Sequence, residues 1–352
     1  MEKKKFSISI KGGIGKHICA TTLIRYIKEK YPDSIINVIS AFPEMFHYNT
    51  RVNRNLHLAT PYLYDDYIKG TEYLEGDPYT QKEFYTNKSH INALYPLAYG
   101  FKEKNKNVYP ELFLSQSELN AAKGLCQDKN PVITLQTTGG NQQKHQMKDP
   151  MELTGRDIKK EVAEIIVKVC KQEGYNVLHV KLPHEYKLEG TMEFKDLPIR
   201  RYIALIPFIR GHIGIDSVMM HAVAAFKKPG LIFWGNTNKD ALGYPNMVNK
   251  FRDACPMPMC SRPHFSMPDF MSEGRWVCPH NYKCQDWTEE EITPIIKSFL
   301  NSIKETNRLK IPLNKEHKNI NAKNKKDTYN TLIKNKETIQ CPTETKTIKI
   351  GK

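Results

Sequence analysis

The chain has 352 residues, 39% hydrophobic and 26% charged, enough to bury two cores of ordinary domain size, which excludes a wholly disordered or fibrous polypeptide. With 53 Lys+Arg against 38 Asp+Glu its net charge is +15, so anionic partners are expected. No apolar run approaches the roughly 18 residues of a membrane span, and Lys3-Lys4-Lys5 leads into an alternating strand rather than a signal core. A cytoplasmic protein is expected, with its 8 cysteines as free thiols or metal ligands rather than disulfides.

The first element is the alternation Phe6-Ser7-Ile8-Ser9-Ile10, a strand that runs into Lys11-Gly12-Gly13-Ile14-Gly15-Lys16-His17. A strand, a glycine turn and a helix together present backbone N–H groups to phosphate. The helix is expected over 18–30, with Ile18, Leu23, Ile24 and Ile27 on one apolar stripe and Tyr31-Pro32-Asp33 ending it. Strands at 35–40 and 56–59 complete a parallel βαβ unit. Residues 61–99 are aromatic and acidic (Tyr62, Tyr64, Asp65, Asp66, Tyr67, Tyr73, Glu75, Asp77, Tyr79) and read as long loops and short helices at the mouth of the sheet.

Lys129-Asn130-Pro131 marks a boundary, after which a second α/β series begins. Strand 132–135 enters Thr137-Thr138-Gly139-Gly140, and helix 157–173, strand 176–180, a short element at 203–208 and strand 212–215 follow. Helix 216–226 and strand 230–234, ending at Gly235-Asn236-Thr237, close the series. The expected organisation is two facing Rossmann-like domains, 1–129 and 130–303, followed by a Lys/Asn-rich tail, 304–352. Thr288-Glu289-Glu290-Glu291 is a capping box that opens the last helix. Residues 301–352 hold 13 Lys+Arg against 5 Asp+Glu, the composition of a disordered basic extension or of an arm drawn to a polyanion.

The glycine loop nearly spells the KGGxGK[ST] of ParA/MinD-type ATPases, but that chemistry needs a hydroxyl after the lysine to hold Mg²⁺. His17 stands there, imidazole is a poor ligand for a hard cation, and Thr21-Thr22 come a turn too late. The segment His212-Ile-Gly-Ile-Asp216-Ser217-Val218-Met-Met-His221-Ala-Val-Ala-Ala makes a second phosphate turn, with Asp216 and Ser217 at a helix start.

This segment resembles the D[ST]GxxHLAAA signature of family-9 glycosyltransferases, the ADP-heptose:lipopolysaccharide heptosyltransferase group. That family pairs the signature with an N-terminal GGxGD turn, here Gly12-Gly13-Ile14-Gly15-Lys16, and with a G[PN]T-like turn, here Gly235-Asn236-Thr237. The resemblance covers roughly residues 6–303 and implies a GT-B fold and an inverting, metal-independent transfer from a nucleotide-diphosphate sugar. The donor would lie in the second domain, on Gly139, Gly140, Lys144, Lys148, Asp216, Ser217, Val218, His221, Asn236 and Thr237. The acceptor would face Gly12, Gly13 and Gly15.

Two departures stand out. Val218 replaces the family's glycine, and Lys16 replaces the acid that is the family's usual base. A lysine, ordinarily protonated at neutral pH, cannot take a proton without strong desolvation. The candidates for that catalytic duty are Lys16 itself, His17, Glu44, Asp65 and Asp66, and Lys16 could instead bind an anion.

The expected acceptor is an anionic saccharide of lipopolysaccharide type, with peripheral membrane contact left open. Hydroxymethylated DNA, with a base flipped toward the aromatic segment, is the alternative acceptor. A lapsed nucleotide-binding protein is the non-catalytic alternative. No cofactor is expected, although Cys255-x4-Cys260 and Cys278-x5-Cys284 offer four soft ligands for a structural zinc.

Overall fold

A computed structural model describes residues 3–126, 130–139, 155–183, 185–194, 197–257, 260, 271–272, 275–276, 278 and 280–306. Strand β1 (Lys5–Ile10) is buried at every position after Lys5. Phe6, Ile8 and Ile10 supply apolar contact, while the alternating serines are enclosed too, since Ser7 Oγ donates to the Tyr67 carbonyl at 2.6 Å. The serine face is therefore covered by the chain around Tyr67 instead of facing water.

Helix α1 (Ile14–Lys30) starts four residues earlier than its apolar stripe suggests, because Gly13 is its N-cap and Gly15 lies in its first turn. Strands β2 (Ile35–Ser40), β3 (Arg54–His57) and β4 (Glu72–Glu75) complete a parallel sheet in the order β3-β2-β1-β4. To the loops and short helices expected over 61–99 the structure adds β4, in which Leu74 alone is buried, so an edge strand gives no alternation to read. Helix α2 (Ile91–Ala98), one of those short helices, packs against α1 and carries Pro96 inside it.

Beyond α3 (Gln116–Leu125) lies the second sheet, made of β5 (Val132–Gln136), β6 (Asn176–His179), β7 (Gly211–Gly214), β8 (Gly230–Trp234) and β9 (Met247–Phe251). Its order is β6-β5-β7-β8-β9, again wholly parallel. Reversal of strand order at β5 and β7 opens a crevice at the carboxyl ends of these strands, the usual place for a ligand in such a sheet. Helices α4 (Lys160–Gln172) and α7 (Glu289–Thr306) cover one face around Ile133, Leu135, Ile213 and Phe233. Helices α5 (Ile199–Leu205) and α6 (Val218–Ala225) lie on the other.

Met1–Thr306 forms one compact unit, and a single apolar cluster takes side chains from both sheets, including Ile8, Ile18, Met219, Val223 and Trp234. Each fully buried aliphatic side chain in it contributes about 1.5–3 kcal/mol. Helices α1 and α6 pack directly on each other. Arg200 of α5 also donates to Glu118 of α3 at 2.7 Å and to the Phe113 carbonyl. The divide expected at 129/130 falls beside residues 127–129, and the tail 307–352 likewise lies outside the described residues. Among the described residues, no helix is long and apolar enough to cross a membrane.

Candidate functional site

The two glycine-bearing turns meet. A Cβ built on Gly15 in the first turn of α1 would lie 3.1 Å from Cδ2 of His221 on α6, so only hydrogen allows this approach without displacing the imidazole. His221 is buried; its Nδ1 lies 2.8 Å from the Tyr244 hydroxyl and 3.4 Å from Cys19 Sγ of α1. Asn92 of α2 donates to the same hydroxyl at 3.1 Å. His221 Nε2 stands 4.0 Å from Asp216 Oδ1, too far for a hydrogen bond. Burial lowers the His221 pKa, against the opposing pull of Asp216, so the ring is neutral.

On the second-sheet side, Asp216 and Ser217 follow β7, and Ser217 is the N-cap of α6 with its side chain making no capping bond. Val218 is the first helical residue, half-buried, and the Met219 N–H is taken by Gln136 Oε1 at 3.2 Å. Arg156 donates from Nη1 to the Asp216 carbonyl at 2.8 Å and approaches Asp216 Oδ2 at 3.4 Å. Gly139 makes room for it, since a Cβ there would stand 3.1 Å from Arg156 Nη2. Thr138 after β5, and Asn236 and Thr237 after β8, are each about 95% buried, and Thr138 Oγ1, Asn236 Oδ1 and Thr237 Oγ1 have no hydrogen-bond partner. A buried polar atom without a partner costs about 1–3 kcal/mol. Three of them at the carboxyl ends of β5 and β8, on either side of β7, beside a guanidinium and a helix N-terminus, suit a polar, anionic ligand.

On the first-sheet side, Gly12 has φ of +98°, a conformation that favours glycine, and the stem of Lys16 folds back over it. Lys16 Nζ lies 2.9 Å from Asp77 Oδ2 and 4.4 Å from the centroid of the Tyr79 ring. Asp77 stands just past β4, and its Oδ1 accepts the Tyr79 N–H at 3.1 Å, capping the single turn Pro78–Thr80. Burial first, then the charges of Asp216, Cys19 and Asp77, hold the Tyr79 phenol far above its ordinary pKa, with Arg156 opposing.

Several expected residues stand elsewhere. His17 is fully buried: its Nδ1 donates to the Gly13 carbonyl at 2.9 Å and its ring packs edge-on against Phe42 at 5.0 Å. Burial lowers its pKa, and Nε2 faces no polar partner, so it serves as packing for α1. Glu44 is half-buried after β2, where its charge acts on His17 and His47. Asp65 and Asp66 are exposed on the turn Tyr64–Ile68, whose Tyr67 carbonyl bonds Ser7 and Asn37 on the serine face, away from the strand ends. Gly140, Lys144 and Lys148 lie outside the described residues.

Cys255 and Cys284 are buried, Cys260 and Cys278 half-buried. Burial raises the Cys284 thiol to about 12, with Cys255, Cys278 and Cys260 adding to the shift. Among the described residues, no three His, Cys, Asp or Glu side chains form a group that could hold a metal ion.

Arg156, Tyr244 and Cys19 were not singled out by sequence, and Asp77 and Tyr79 were read only as part of the aromatic and acidic segment at the mouth of the sheet. Asp77 carried a usable signal, an acid in Gly76-Asp77-Pro78, but only once Glu72–Glu75 is known to be a strand.

No family model and no curated protein sequence matches the chain. Solved structures share its fold. A glycosyl transferase of family 9 from Veillonella parvula superposes with a TM-score of 0.58 at 12% identity, covering 85% of this chain and 97% of its own. The iron-containing dodecameric glycosyltransferase TibC from enterotoxigenic E. coli gives 0.61 at 12% identity, covering 86% and 77%. The E. coli ADP-heptose lipopolysaccharide heptosyltransferase II gives 0.53 at 13% identity, covering 85% and 99%. The chain therefore has the GT-B fold of these enzymes.

Proposed function

We propose that this protein is a glycosyltransferase that moves a sugar from a nucleotide-diphosphate donor to an anionic saccharide acceptor, with inversion and without a catalytic metal. The observation that carries the reading is the donor-side cluster: Arg156, the start of α6, and the partnerless buried atoms of Thr138, Asn236 and Thr237 at three neighbouring turns. Arg156 and the helix start offer positive charge to a diphosphate that gains charge as it leaves. The buried hydroxyls and amide give fixed partners to the polar parts of the donor. Asp216 accepts from Arg156 and keeps the guanidinium in place when no donor is bound.

TibC has been solved with ADP-D-β-D-heptose, on the same fold at a TM-score of 0.58. By analogy with that complex, an ADP-linked heptose is the first donor to try. The acceptor lies against the glycine loop, with Lys16 and the basic surface favouring a phosphorylated saccharide. Nucleotide sugars are cytoplasmic substrates, and the proposal puts the protein there.

Calorimetric titration with ADP and ADP-heptose tests the proposal. Micromolar binding of both, followed by release of ADP from ADP-heptose, supports it. Absence of binding by either, and by the UDP- and GDP-linked sugars, refutes it.

A further inference from the structure

The loop lacks an acid, but the site does not. We propose that Asp77, delivered by β4 rather than by the glycine loop, is the general base for the acceptor hydroxyl, with Lys16 as its positioning partner. The inference rests on the sugar-transfer reading given above.

β4 is the neighbour of β1 in the first sheet, so its carboxyl end opens beside the loop. Asp77 follows that end by two residues, and its Oδ2 meets Lys16 Nζ at 2.9 Å. The lysine pairs with one oxygen of the carboxylate, and the Tyr79 N–H on Oδ1 fixes the plane of the group. Each oxygen accepts one bond and has a lone pair left for a hydroxyl. The side chain is 37% exposed, enough to meet an acceptor and to return its proton to water.

The other acids are worse placed. Glu75 is held by Lys11 at 2.5 Å and by the Tyr73 hydroxyl at 2.8 Å. Glu44 flanks β1 on the opposite side, through β2, where its charge acts on buried His17. On the β4 side, Lys16 Nζ lies 4.4 Å from the centroid of the Tyr79 ring, and Gly15 of the same loop lies against His221 of α6, so Asp77 pairs with the loop that meets the donor side.

The step balances. The acceptor O–H gives its proton to the Asp77 carboxylate while the acceptor oxygen bonds to the anomeric carbon. The bond from that carbon to the diphosphate oxygen breaks, and its electron pair leaves with the nucleoside diphosphate, facing Arg156 and α6. Asp77 then releases the proton to solvent.

Asp77→Asn is a clean variant, because asparagine keeps an oxygen to cap Pro78–Thr80 while losing the charge. Turnover of ADP-heptose, with water or saccharide as acceptor, is expected to fall about 10²–10⁴-fold, the usual worth of a positioned base. ADP affinity should stay within about twofold, as the donor cluster is untouched, and Asp77→Glu should recover part of the rate. Lys16→Met, which leaves the carboxylate in place, should cost at least tenfold less than Asp77→Asn. Asp77→Asn turning over within threefold of the native protein would overturn the inference, as would equal losses from the two variants, since Asp77 would then only hold Lys16. Native protein that neither binds ADP nor consumes any donor removes the transfer reading itself, and the inference with it.

Discussion

Two strand–turn–helix junctions meet in this molecule, and they solve the same problem in opposite ways. The first, at the end of β1, is built of glycines and lies partly open. The second, at the end of β7, is buried, carries Asp216, and is ringed by polar atoms with no partner. The open turn resembles a phosphate loop in spelling, whereas the buried one has the physical character of a prepared anion site. Bare backbone N–H groups are common at helix starts, but stranded hydroxyls in a 95%-buried setting are a standing expense that a ligand relieves.

The contrast can be broken most strongly at Asp216. Asp216→Ala removes the carboxylate beside Arg156 and His221, and donor affinity is expected to fall about 10–100-fold, the worth of one charge-assisted bond. Calorimetry with ADP-heptose reads this, and unchanged affinity would detach the second junction from the donor.

A broader effect separates the two sheets by acid. His179 in β6 and His212 in β7 are buried, and burial holds their pKa values at about 4 and about 3, while His90, at the start of α2, is held at about 4. Each is neutral when folded and protonates near 6.5 when unfolded, so the unfolded chain binds more protons below that pH. Their contribution is complete above about pH 6.5 and is lost progressively as pH falls toward 4, and toward 3 for His212. The melting temperature should fall over that window. His212→Gln should flatten the slope, because two of the three groups lie in the second sheet.

The smallest expected effect sharpens the contrast most. Thr237→Val removes a buried hydroxyl that has no partner, so the free protein should be unchanged or about 1 kcal/mol more stable while donor affinity falls severalfold. Parallel chemical denaturation and titration would show it. Loss of stability instead would mean that the hydroxyl is satisfied within the free protein.

The sheets were legible where strands are buried on both faces. The strand read at 230–234 is Gly230–Trp234, and that read at 35–40 is Ile35–Ser40, since continuous apolar runs bounded by turns allow little else. The edge strands were not legible: β4 buries only Leu74, and β9 is buried fully only at Met247. The donor junction could be read from Asp216 and Ser217 because turn and helix are contiguous in sequence. The acid beside Lys16 could not, since Asp77 is 61 residues away and arrives on the strand that gave no pattern. His17 looked available beside the loop, but position 17 points into the core against Phe42 and Phe46, a fact of helix phase that a loop reading hides.

The central claim is that the buried junction, not the glycine loop, receives the nucleotide diphosphate. Amide hydrogen exchange of the protein with and without ADP tests it directly. Added protection is expected over residues 216–220 and 137–139, with residues 12–17 little changed. Protection confined to 12–17 would contradict it and return the phosphate to the glycine loop.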